Sequence, residues 1–153
     1  SLSIIFVSTS GHTEYVVDTL IQFLKKKAPK LTVTKQRGEE ADAKDIEKAE
    51  VLLLACATWN MWGQEGHLNP LMYELLHKRA KDVDLKGKSV AHIALGEDKY
   101  YYAGRATEHL MQYTMKHGGK PLGPPLLVIN EPYGQEEKVE KWGAQILTML
   151  KEL

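Results

Sequence analysis

Apolar residues fall along this chain in five short runs, Leu2–Val7, Leu31–Lys35, Val51–Ala57, Ser89–Leu95 and Leu126–Asn130. Between most of them lie longer stretches in which apolar residues recur every three or four positions. Short apolar runs read as β-strands and the three-to-four spacing reads as amphipathic helix. The first helix is predicted to gather Val16, Val17, Leu20, Ile21 and Leu24 on one face, a later one Leu68, Leu71, Met72, Leu75 and Leu76, and the last Val139, Trp142, Ile146, Met149, Leu150 and Leu153. Runs one, three and four are apolar almost throughout, as parallel strands covered on both faces should be, whereas Leu31–Lys35 alternates and reads as an edge. Glu39–Lys48 is a charged connector with room for a short helix, and Lys120–Pro125 is a Gly/Pro-rich entry to the last strand. This alternation predicts an α/β fold: a doubly wound five-stranded parallel sheet in the order 2-1-3-4-5, with helices on both faces.

The length of 153 residues suits a single domain spanning 1–153, without linker or internal repeat. Lys plus Arg and Asp plus Glu are equal at 20 each, and no basic cluster is interleaved with aromatics, so nucleic acid is not an expected partner. The lone Cys56 sits in an apolar run, reads as core filler and leaves no internal disulfide, which fits a reducing cytoplasm. No apolar run approaches the roughly 20 residues that span a bilayer. No apolar stripe is left over for a second chain, so a monomer is expected.

In a doubly wound sheet, ligands bind beyond the carboxyl ends of the strands at the switch point. That singles out three loops. In the first, Ser8-Thr9-Ser10-Gly11-His12-Thr13, four hydroxyls and a glycine lie between a strand and a helix, where backbone N–H groups and the helix dipole favour an anion. It has no lysine and one glycine, which favours a monophosphate over a triphosphate or a pyrophosphate. The competing reading is a Ser/Thr-rich helix cap with no ligand. The second loop carries Thr58, Trp59, Asn60, Met61, Trp62 and Gly63, and the third runs from Leu95 and Gly96 through Tyr100, Tyr101 and Tyr102 to Gly104. Aromatics on two facing loops can sandwich a planar ring while the first loop grips a phosphate; the alternative is that they pack on neighbouring helices.

Together the three loops resemble those of the flavodoxins. Ser8-Thr9-Ser10-Gly11-His12-Thr13-Glu14 is similar to the family's Ser/Thr-x-Thr/Ser-Gly-x-Thr-Glu phosphate loop, Thr58-Trp59-Asn60 to its Thr-Trp-Gly or Thr-Trp-Asn loop, and Gly96-Glu97 with the following tyrosines to its Gly-Asp…Tyr loop. The resemblance runs the whole length and implies a short-chain member that binds FMN non-covalently. It also implies a low-potential carrier that shuttles single electrons between a reductase and an acceptor enzyme through a neutral semiquinone/hydroquinone couple. Ser8 to Thr13 would hold the phosphate, Trp59 one face of the isoalloxazine, and Tyr100 the other, with Tyr102 the competing choice. The Asn60–Met61 peptide would turn its carbonyl to the protonated flavin N5, Asn tolerating positive φ less well than Gly.

Several features depart from that pattern. The Asn60–Gln64 loop is one residue longer before its glycine, Trp62 would be a lid or a partner contact, His12 stands where Asn is common, and the charge is balanced where the family is acidic. Glu65, Glu97 and Asp98 would form a local acidic rim diluted by Lys99, Arg105 and His67, so long-range steering is expected to be weak. The main rival function is an FMN-dependent NAD(P)H:quinone-type reductase, though no basic cluster marks a second nucleotide phosphate. A phosphoacceptor receiver domain is excluded because Ser8 and Thr58 stand where it needs acids.

Overall fold

The computed structural model describes every residue except Trp62, and the backbone alone of Met61. Strand β1 (Leu2–Phe6) leads into α1 (His12–Lys27), β2 (Val33–Arg37), a 3-10 turn at Gly38–Glu40 and α2 (Ala43–Lys48). There follow β3 (Val51–Met61), β4 (Gln64–Leu68), α3 (Pro70–Glu74) running on into a π turn at Leu75–Arg79, β5 (Ser89–Gly96), α4 (Ala106–Lys116), β6 (Lys120–Pro121), β7 (Leu126–Ile129) and α5 (Glu136–Lys151).

Strand pairing gives the order β2-β1-β3-β5, with β6 and β7 both parallel to β5, beside Ser89–Val90 and Ile93–Gly96. They are two pieces of one edge strand, so the five-position order 2-1-3-4-5 holds. The gap between them contains Pro124 and Pro125, which have no N–H to give a ladder. The Trp142 indole donates to the Pro124 carbonyl at 2.9 Å and ties this segment to α5.

Side-chain alternation sorts the strands onto two cores. Leu2, Ile4 and Phe6 of β1, Leu53 and Ala55 of β3, and Ile93 and Leu95 of β5 pack with α1 and α5. Ile5, Leu52, Leu54, Cys56, Val90 and Ala94 pack with α2, α3 and α4 on the other side. A period of two with both faces apolar is what a covered parallel sheet requires.

Three boundaries differ from the sequence reading. β2 begins at Val33, because the chain leaving α1 closes a turn in which the Leu31 N–H donates to Ala28 O, and pairing starts at Leu2↔Val33. The predicted loop from Thr58 is instead a β-hairpin: β3 continues four residues beyond Ala57 and β4 returns antiparallel to it. Leu68, placed on a helix by its spacing, ends β4; Asn69 caps the helix that follows, its side chain accepting from the Leu71 N–H at 2.9 Å, with Pro70 in the first turn. The charged connector does hold a short helix, closed by a reciprocal Asp42/Asp45 capping box.

Candidate functional site

Helix α1 starts at Gly11, whose φ of 91° lies in the left-handed region that favours glycine and which has no side chain to cap the helix. Ser8 takes over part of that task, its Oγ accepting from the Glu14 N–H at 3.1 Å. The earlier amides, of His12 and Thr13, belong to the first turn, which has no intrahelical acceptor for them. Thr9, Ser10, His12 and Thr13 line a cleft of about 600 Å³ at the carboxyl ends of the strands. His12 stands edge-on to Tyr133, ring centroids 5.6 Å apart.

Thr58, Trp59 and Asn60 bring the end of β3 to the same cleft. The Thr58 hydroxyl accepts from the Ala106 N–H at 3.2 Å, so it also satisfies the first turn of α4. Across the hairpin Trp59 faces His67 and Met61 faces Gln64, which leaves Asn60 opposite both Glu65 and Gly66. This is a bulge with its glycine at φ 81°. Asn60 is extended rather than left-handed, and the positive φ at the hairpin tip falls on Gly63, at 73°.

The third wall comes from β5. A Cβ on Gly96 would sit 1.7 Å from the Ala103 carbonyl oxygen, so only glycine lets the tyrosine loop fold back onto the strand end. Leu95, Gly96, Tyr100 and Tyr102 line the cleft, while Tyr101 between them is 88% exposed. Alternate tyrosines thus share one side. The Lys99 ammonium lies 5.3 Å from the Tyr100 ring and the Arg105 guanidinium 4.5 Å from that of Tyr102.

The three predicted loops therefore meet at one cleft. Of the residues expected there, Ser8, Gly11, Gly63 and Gly104 stand outside its lining and shape the loops instead; Trp62 and the Met61 side chain lie outside the described residues. Sequence reasoning missed Asn130 and Glu131 after β7, which also line it. Asn130, at φ 67°, donates from Nδ2 to Asp98 Oδ2 at 2.9 Å and accepts from the Asp98 N–H at 3.0 Å, pinning the tyrosine loop. The rule that ligands gather at strand carboxyl ends applies to the last strand too, and that was the available signal. Glu65, Glu97, Asp98 and Glu131 give the lining four carboxylates, against one lysine, Lys99, which pairs with Glu97 at 3.2 Å.

A doubly wound sheet with a hydroxyl-and-amide cradle at one end of its cleft and exposed rings at the other defines a mononucleotide-binding protein of the flavin type. Residues 4–142 match the model of the flavodoxin family, and the chain belongs to that family. Its members are electron-transfer proteins and bind FMN. Among solved structures it is similar to flavodoxin 2 from Bacillus cereus, 22% identical over 97% of this chain and 98% of that one, with a TM-score of 0.86. It is also similar to the flavodoxin of Streptococcus pneumoniae TIGR4, 20% identical over 96% and 97%, TM-score 0.82. Rubredoxin oxygen:oxidoreductase from Desulfovibrio gigas shares 18% identity and a TM-score of 0.78 over 99% of this chain but 36% of its own. These identities speak to the fold.

Proposed function

We propose that residues 1–153 act as one monomeric domain, a low-potential FMN carrier that takes single electrons from a reductase and gives them to an acceptor enzyme in the cytoplasm. The observation that carries this reading is the convergence of three separate loops on one cleft, with hydroxyls and amides at one end and exposed rings at the other. Thr9, Ser10, His12 and Thr13 hold the phosphate, with Ser8 and Gly11 setting the loop. Trp59 covers one ring face and Tyr100 the other; Thr58, Leu95, Gly96, Tyr102 and Gly104 complete the walls. The Asn60–Met61 peptide presents its carbonyl at the edge of the ring system, with Gly63 at the hairpin tip beyond it. When bound, FMN supplies the one-electron chemistry. Glu65, Glu97, Asp98 and Glu131 disfavour added negative charge in the cleft, which makes the fully reduced form a strong electron donor.

Anaerobic dithionite titration of the purified yellow protein tests this. A blue one-electron form that accumulates before bleaching is the expected result. Conversion in one two-electron step, or rapid bleaching by NADPH without a reductase, would replace the carrier with the quinone-reductase reading. A colourless protein that rejects added FMN would defeat both.

A further inference from the structure

The β3–β4 hairpin carries Trp59 and Asn60 to the cleft, yet among the described residues β4 pairs within the sheet with β3 alone. Its second support is α4. His109, on the first turns of that helix, donates from Nε2 to the Gly66 carbonyl at 2.8 Å. The same imidazole lies against that of His67, centroids 5.6 Å apart and planes within 15°. A bulge leaves a residue out of the ladder, and Gly66 is at the bulge that faces Asn60. His67 is the residue opposite Trp59. One side chain of α4 therefore engages two adjacent β4 positions, Gly66 and His67, that face Asn60 and Trp59 of β3. Gly66 is buried here, and a Cβ on it would stand 2.8 Å from both Tyr102 Cβ and Arg105 Cδ, so the hairpin is seated directly on the tyrosine loop as well.

We propose that His109 is a positioning residue: it clamps β4 to α4 and so fixes Trp59 and the Asn60–Met61 peptide at the cleft. His109 itself does not line the cleft. Its effect on the cofactor passes through the hairpin and rests on the reading of the cleft as an FMN site.

The test compares His109→Leu, which removes the donor, with His109→Gln, whose amide places an N–H at a similar reach. In the protein freed of FMN, amide hydrogen exchange over residues 59–68 should rise about three- to tenfold in the Leu variant, the range set by losing one hydrogen bond. Exchange in β1 and β5 should stay unchanged. In the FMN-loaded protein, the Leu variant should bind FMN several-fold more weakly and shift the potential of the first electron, and the Gln variant should restore both. Unchanged hairpin exchange would overturn the clamp. Faster exchange with unaltered affinity and potential would overturn the positioning role. Failure to bind FMN at all would sink the functional reading, while the exchange data would still decide the clamp. Should His109→Leu not fold, His109→Asn, whose amide is too short to reach Gly66, takes its place with the same expected outcomes.

Discussion

His92 is 1% exposed in the middle of β5, its Nε2 paired with the Thr114 hydroxyl at 2.7 Å and its Nδ1 without a partner among the described residues. A histidine inside the apolar run Ser89–Leu95 reads as a satisfied core residue, and the structure bears out the burial but leaves half of the ring unpaired among the described residues. Burial lowers its pKa from the ordinary 6.5 to about 4. The folded state thus resists a proton that the unfolded chain accepts, and stability falls as pH drops from about 6.5 through 4. The loss amounts to about 3 kcal/mol over that window, at 1.36 kcal/mol per unit. Urea denaturation at a series of pH values should show this decline, and a His92→Leu variant should have a correspondingly flatter profile. An unaltered slope in that variant would remove His92 from the account. Cys56 is simpler: buried, with its thiol pushed up to about 12, it is the inert core filler its surroundings in the sequence suggested.

Among the elements, the hairpin was the least legible. Trp59 to His67 shows neither steady alternation nor a turn dipeptide such as Asn-Gly, because the bulge at Glu65–Gly66 breaks the period and Gly63 alone marks the tip. The strands of the central sheet were read well, since apolarity on both faces leaves little ambiguity. The amphipathic face of α1 was equally plain, with Val16, Val17, Leu20 and Leu24 all buried. Thr58 shows how one residue joins two elements: its hydroxyl, at the end of the parallel part of β3, accepts the first N–H of α4. Thr58→Val keeps the shape and removes the acceptor. It should destabilise the fold by about 1 kcal/mol, as the loss of a helix cap does, and weaken FMN binding in parallel. Chemical denaturation together with flavin fluorescence quenching would measure both; no change in either would show that water replaces the hydroxyl.

At the scale of the molecule, a net charge of zero conceals a separation of charge. Helices in a doubly wound sheet run antiparallel to the strands, so helix C-termini gather at the end opposite the cleft. There lie Lys25, Lys26 and Lys27 of α1 and Lys116 of α4. The cleft end collects Glu65, Glu97, Asp98 and Glu131, with Glu136 and Glu137 on the first turn of α5. A dipolar protein is steered by the field of its near end, so the acidic cleft end is expected to steer a basic partner more strongly than the net charge alone implies. Association with a basic redox partner should slow about tenfold between low and physiological salt. Stopped-flow electron transfer from the reduced protein would read it, and the triple variant Glu65→Gln, Glu97→Gln, Asp98→Asn should lose most of the salt dependence. A flat salt profile in the parent protein would discard the steering.

The sequence by itself determined the α/β order, the two-sided core and the three loops of the site, because apolar periodicity and short motifs are local properties that survive without a partner. Only the tertiary structure decided which residues of those loops reach the cleft. Tyr100 and Tyr102 line it while Tyr101 does not, and Ser8 turns back to cap α1. It also brought in Asn130 and Glu131 from the far strand, seated His109 against the hairpin and gathered four carboxylates in the cleft lining. Each of these depends on how distant segments are stacked, and spacing along the chain carries no information about that.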